Sequence, residues 1–387
     1  MSISITQSPA SASLAQSPII FTVAESNPLL LTSASFQYIG ELYYWTGSVY
    51  NSGSSDYTIT KYSNTTGVGI FDLNRIIYST LTDLAQTNQS NVTYFTADFY
   101  TQYSNGTSFV TGSHVKSVVY KALDGYGIFP ESIGAALNTL TPYYPLLTDG
   151  PVTQSVFVDN KGVSGVYVGD IGATVPTKVV YTSNITSADY SISGNASSSA
   201  QIVSYPIAPS QSGFPLSTVG LEWYTIQPYN GGTPLGAKIR YNVDCIQKYP
   251  NVRIKWKNRF GQFDYFNFYM VNKQSFQTTK RTYQPQIGTW EASTFGYNEY
   301  DSSNLNYIND SKQSIMVNTF WIPEDYNEIF KQLLVSDEIY WLYDESNNKL
   351  RPLTIATSNI LFKTGVVDKQ IQYSFTFNFG QPYKLIM

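Results

Sequence analysis

Between residues 371 and 379 the apolar side chains Ile371, Tyr373, Phe375, Phe377 and Phe379 alternate with Gln372, Ser374, Thr376 and Asn378. A period of two predicts a strand with one buried and one wet face. The same signature fills most of the chain. PIIFTVA, FQYIGELYYW, DYTITKY, NVTYFTADFYTQY and SFVTGSHVKSVVYKAL are β-branched and aromatic runs, and SASLAQS, TGSVYNSGSS and SNTTG between them have loop chemistry. QSVFVD, SGVYVGDI and TKVVYTSNI continue the pattern, with ISGNASSSAQ as a loop. VRIKWK, FDYFNFYM and NILFKTG are further strands, and EIYWLYD and LRPLTI flank an SNNK turn as a hairpin.

Helical spacing is rare. Leu73, Ile76, Ile77, Leu81 and Leu84 recur at helical intervals, with Asp72 placed to cap the start. A short helix is predicted over 131–140. In PEDYNEIFKQLL, Pro323 and the acids Glu324, Asp325 and Glu328 suit a helix start, Lys331 suits its end, and Ile329, Phe330, Leu333 and Leu334 form the packing stripe. The chain is therefore expected to be mainly β, with two or three antiparallel β-sandwich-like domains and a few short helices. The expected division is a sandwich over 1–120, a second β-rich region over 121–210, a Pro/Gly-rich junction over 211–236 and a C-terminal β-rich domain over 237–387.

Composition adds a second theme. Of 387 residues, 33 are Tyr, 21 Phe and 6 Trp, so aromatics reach 16% while charged residues supply only 13%. Disorder needs low hydrophobicity and high charge, so this chain folds and is expected to bury surface against partners. It contains no run of about 18 apolar residues of membrane-helix type and no signal-peptide pattern at MSISITQSPASASL, which reads as a soluble, cytoplasmically made protein. An outer-membrane barrel would need regular segments of about ten alternating residues.

Charge is unevenly placed. Residues 1–236 hold 6 Lys/Arg against 13 Asp/Glu, and residues 237–387 hold 17 against 14. Ten of those bases lie in 238–281, facing only Asp244 and Asp264. In VRIKWKN, Val252, Ile254 and Trp256 alternate with Arg253, Lys255 and Lys257, which predicts a basic exposed sheet face. Lys255 and Lys257 are then expected to meet the acidic half of a neighbouring copy. Specific nucleic-acid readout is not expected from so regular a row.

Catalytic chemistry is thinly provided. His114 is the only histidine and Cys245 the only cysteine, which excludes a His-rich or Cys-rich metal site and an internal disulfide. His114 begins a strand beside a Gly/Ser loop and reads as a surface or hydrogen-bonded structural residue. Cys245 reads as a buried inert thiol. The acids Glu324, Asp325 and Glu328 are explained by helix capping, and Asp337/Glu338 and Asp344/Glu345 flank a strand and its turn. No phosphate loop, dinucleotide motif or EF-hand spacing is visible, so no cofactor is expected and the chain reads as a non-enzyme.

The segment PNVRIKWKNRFGQFDYFNFYM carries one more pattern. Asn-Arg-Phe-Gly reads as a tight turn needing positive φ at Gly261, with Arg259 and Asp264 close enough to pair across it and aromatics on both faces of the following strand. Trp256, Asn258, Arg259, Phe260, Gly261, Asp264, Phe266 and Phe268 match a W-x-N-R-[FY]-G-x-x-D-x-[FY]-x-F stretch. In this the chain resembles tail, baseplate and neck structural proteins of tailed bacteriophages, notably those of Bacteroidota and the crAss-like group. LLVSDEIYWLYD, RPLTIATSNILFKTG and IQYSFTFNF, and the N-terminal ITQSPAS, SPIIFTVA and IFDLNRII, are similar to the same proteins.

The resemblance implies a virion component of tail or neck, made in the host cytoplasm, that builds a homo-oligomeric ring of six- or twelve-fold symmetry. It implies contacts with other tail and neck proteins, and a channel through which genomic DNA passes. The eight motif residues, with Lys255 and Lys257, are then candidate structural or interface positions. Two other classes stay open: a receptor- or carbohydrate-binding tail adhesin, in which Tyr and Trp stack on sugars, and a polysaccharide depolymerase using paired carboxylates.

Overall fold

The computed structural model describes residues 3–33, 35–46, 53–81, 92–127, 146–169, 175–192, 201–245, 249–345, 347, 349–363 and 371–381. It is mainly β, with several antiparallel or mixed sheets and a few short helices. By contacts the chain divides into a first unit of residues 1–246, 256–265 and 325–336, and a second of 247–255, 266–324 and 337–387.

Three hydrophobic clusters of described residues lie in the first unit, the smallest around Leu14, Tyr94, Tyr167 and Phe260 and the other two between sheets. In one, the three-stranded sheet of Ile3–Gln7, Ile20–Glu25 and Val68–Asp72 faces a six-stranded sheet that includes Val92–Ser104 and Gln37–Thr46. Alternate positions of both sheets meet there, with Phe21 and Phe71 at 5.3 Å and 5.0 Å from the Phe99 ring. The helix Asn74–Thr80 adds Ile77 to this core, and Asp72 accepts the Asn74 N–H at its start. Ala12–Leu14, expected within a loop, pairs in parallel with Tyr120–Leu123.

The second core lies between the pair Val163–Val168 and Gln201–Pro206 and a sheet ordered Thr153–Phe157, Ile239–Asp244, Trp223–Asn230, Lys178–Ser183, Ser187–Ser191. The expected junction over 211–236 contains a strand, Trp223–Asn230, and core residues. Pro206 ends a strand, Pro228 lies inside Trp223–Asn230, and Ile207, Ala208, Leu216 and Leu221 bury against the core. Proline marks strand ends and bends as readily as domain boundaries, and here apolar spacing decides. The predicted helix over 131–140 and the loop over ISGNASSSAQ lie almost wholly outside the described residues.

A seven-stranded sheet runs in the order Phe263–Phe268, Val252–Lys257, Ile339–Asp344, Lys349–Ile355, Ser374–Phe379, Leu305–Asn318, Lys273–Tyr283. The alternation over 371–379 is realised here. Ile371, Tyr373, Phe375 and Phe377 are buried, and the intervening residues are exposed or half-buried. The hairpin of Ile339–Asp344 and Lys349–Ile355 is as expected. NILFKTG is not a strand over its described residues. The predicted helix forms as a 3-10 turn, Glu324–Tyr326, followed by Asn327–Val335, with Gln332 buried and Leu334 only half-buried. That exchange has a polar cause described next.

Candidate functional site

The Asn258–Gln262 turn is organised by one side chain. Asn258 Oδ1 accepts the N–H groups of Phe260 and Gln262, both at 3.0 Å, and its amide donates to the Leu147 carbonyl at 3.0 Å. The backbone closes with Gly261 N–H on Asn258 O at 3.0 Å, and Gly261 has φ +71°. The expected positive φ is therefore present, and crowding reinforces it: a Cβ at Gly261 would lie 2.9 Å from the carbonyl oxygen of Asp124. Gly125 (φ +130°) reciprocates, since its Cβ would fall 2.1 Å from the Arg259 carbonyl, which accepts the Tyr126 N–H at 2.8 Å. We expect Gly261→Ala to cost about 1–3 kcal/mol through the left-handed backbone and this crowding. Urea unfolding checks it, and a loss under about 0.5 kcal/mol would refute the role given to Gly261.

Arg259 does not pair across the turn with Asp264. Its guanidinium grips Asp149, with Nε on one carboxylate oxygen and Nη2 at 3.0 Å on the other, and both side chains are only 5% exposed. Gln332 bridges the pair, accepting Arg259 N–H at 3.1 Å and donating to Asp149 at 2.9 Å. That is why Gln332 is buried in the helix. Burial pushes the Asp149 carboxyl up, while the Arg259 guanidinium and Gln332 amide pull it back. Asp264 instead accepts from Thr148 Oγ1 at 2.8 Å; its other oxygen is buried with no hydrogen-bond partner among the described residues, and burial raises its carboxyl to about 7 although Thr148 and Asn258 pull it back.

The basic row is a second correction. Arg253 and Lys255 are 3% and 6% exposed, because the strand is covered on both faces. Arg253 donates to Asn267 at 2.9 Å and faces Glu345 at 3.7 Å. Lys255 lies over the Tyr340 ring at 5.3 Å, and burial pulls its ammonium down to about 8 although Glu338 opposes this. Lys257, on the first unit, pairs with Asp124 at 2.6 Å. These charges are engaged inside the chain, so the row is not the exposed basic sheet face that its alternation predicts. Trp256, Phe260, Phe266 and Phe268 are equally buried, and Phe266 stacks on Phe320 at 5.6 Å. The side chains of the motif are thus buried within the chain.

The other candidate chemistry stays dispersed. His114 lies within Phe109–Lys116, exposed, with Nδ1 3.3 Å from Asp98. Cys245 is exposed after its strand instead of buried. Glu328 pairs with Lys331 at 3.1 Å and Asp344 with Lys349 at 3.4 Å. Among the described residues no three His, Cys, Asp or Glu side chains converge to hold a metal, and no helix is long and apolar enough to cross a membrane.

The surface that stands out is one the residue pattern did not announce. Lys273–Tyr283 pairs antiparallel with Leu305–Asn318 as a long arm. Every residue of the first strand is exposed, and no described side chain from 276 to 313 is buried. The arm is rooted by Ile315 and Val317, both 0% exposed and paired with Phe377 and Phe375. At its tip Trp290, Phe295, Tyr297 and Tyr300 are 61–84% exposed. Trp290 meets Phe295 edge-on at 5.4 Å. A cleft of about 610 Å³ opens beside Tyr297, Tyr300, Asn298 and Asp301. The available signal was KQSFQTTKRTY itself, a strand-forming run with no apolar face to bury.

No protein-family model matches the chain, and neither does any curated protein sequence.

Proposed function

We propose that the chain is a non-enzymatic structural subunit of a tailed-bacteriophage virion, a ring-forming tail, neck or tail-hub protein that grips its neighbours through the arm 273–318. The arm is the observation that carries the assembly reading. A two-stranded hairpin with both faces in water is marginal on its own, and exposed aromatic patches rimmed by polar residues mark protein interfaces. The strand Lys273–Tyr283 ends the sheet order, so its outer edge offers backbone groups to another chain. The virion reading is supported by the likeness of the WKNRFGQFDYFNF stretch and the C-terminal run to phage structural proteins. In this role the buried Asn258–Arg259–Asp149 lock makes a rigid base from which the first unit withstands load.

The test is excision of the arm. Ser275 and Ser314 are cross-strand partners, so replacing 276–313 by Asn-Gly closes the hairpin with a two-residue turn. The intact chain is expected to form closed rings in negative stain and mass photometry, and to occur in virions of a phage that encodes it. The excised variant is expected to keep its melting temperature and remain monomeric. Rings that persist without the arm would overturn the proposal. The aromatic tip with its cleft favours one second reading, a glycan-binding adhesin; a monomeric chain whose binding to a glycan array is lost with the arm would establish that instead.

A further inference from the structure

We propose that the arm's partner is a second copy of this chain, with the acidic, aromatic tip of one arm seated on the basic strand of the next. This inference rests on the reading of the arm as an assembly device. The strand Lys273–Tyr283 carries Lys273, Lys280 and Arg281 and no acid, whereas residues 284–304 carry Glu291, Glu299 and Asp301 and no base. All six are exposed, and none has an ion-pair partner among the described residues of its own chain. Elsewhere the basic excess of this region is neutralised internally, as Arg253, Lys257 and Arg259 show. The second strand adds exposed Asp310 and Lys312, one of each sign, so the body of the arm stays basic while its tip is acidic.

Those surfaces also match in their apolar chemistry. Tip rings such as Trp290 and Tyr300 present faces that a guanidinium or ammonium covers favourably, a contact of about 0.5–2 kcal/mol each once water is displaced. The basic strand adds exposed Phe276 and Tyr283. Because tip and strand are different surfaces, each copy uses one to give and the other to receive. That is a heterologous contact, which propagates head to tail and generates a ring when the rotation between copies closes. Opposed potentials then fix the register between copies.

Charge reversal tests this in the full-length chain. The variant Lys280→Glu with Arg281→Glu and the variant Glu291→Lys with Glu299→Lys change only exposed side chains, so circular dichroism and melting should match the parent. Mass photometry is expected to show each variant as monomer where the parent is assembled, with self-association weakened at least about ten-fold. Mixing the two variants should restore assembly, since the acidic strand of one accepts the basic tip of the other and the reverse. All four substitutions in one chain should also restore it. A parent that stays monomeric at every concentration, reversals without effect, or a mixture that remains monomeric would overturn the inference. If excision of the arm abolishes rings while both reversals keep them, the tip-to-strand contact is wrong and the arm's role in assembly stands; rings that survive excision defeat both.

Discussion

Arg259→Leu is expected to lower the unfolding free energy by about 3–5 kcal/mol, the usual cost of breaking a buried ion pair by removing one partner. The loss comes less from the missing attraction than from what stays behind. Asp149 is 5% exposed and, among the described residues, would keep the Gln332 amide as its donor. The leucine side chain would also leave Asn258, Gly261 and Tyr126 holding a turn without its anchor. The carboxyl has one escape, which is to take up a proton, because burial already pushes it up and the guanidinium no longer pulls it down. The variant should therefore lose more at pH 8 than at pH 5. Arg259→Leu combined with Asp149→Leu should recover part of the loss, since it removes the stranded charge. Urea unfolding of the parent, both single variants and the double variant at the two pH values gives the cycle. A single-variant loss below about 1 kcal/mol, equal at both pH values, would show that the pair is not what holds the turn.

Local features of this protein are readable where their causes are local. The alternation over 371–379, the positive φ at Gly261 and the helix after Pro323 each depend on residues within a few positions, and each is present. Misreadings arise where the deciding partner is far along the chain. Arg253, Lys255 and Lys257 alternate as a wet face does, yet their neutralising groups come from Glu345, Glu338 and Asp124. The period of two reports that a strand has two faces; it does not report that both are covered. Arg259 has Asp264 five residues away, but its acceptor is 110 residues earlier. Nothing in the NRFGQFD spacing encodes Asp149.

The arm was hidden for the opposite reason. Its strands form by pairing with each other and have no buried stripe until Ile315 and Val317, so hydrophobic periodicity is silent along most of their length. The aromatic excess therefore divides in two. Many rings, including those of the motif, fill the cores, while others stay in water, singly as at Tyr62, Phe109 and Trp321 or grouped as at the arm tip.

Stability is expected to fall as pH rises from about 4 to 7, and Asp264 is the main cause. Its carboxyl is held at about 7 in the folded chain, against roughly 3.9 when unfolded. Between those values the native state binds the extra proton, so the unfolded state binds fewer and the free energy of unfolding declines with pH. That separation corresponds to about 4 kcal/mol as an upper bound, fully lost above pH 7. Lys255 acts from the other side. Its folded value of about 8 lies below the unfolded value of roughly 10.4, so its penalty is complete below pH 8 and fades as pH climbs toward 10. The two buried groups together place a trough near pH 7–8. Asp264→Asn mimics the protonated acid, keeps an oxygen for Thr148, and removes the acid limb of that trough. Urea midpoints should decline for the parent from pH 5 to about 7 and recover toward pH 9, and stay nearly level for Asp264→Asn from pH 5 to 7.5, with Asp149 contributing equally to both. Parallel profiles for the two proteins would mean that Asp264 is ionised in the fold, and that its second oxygen has found a donor.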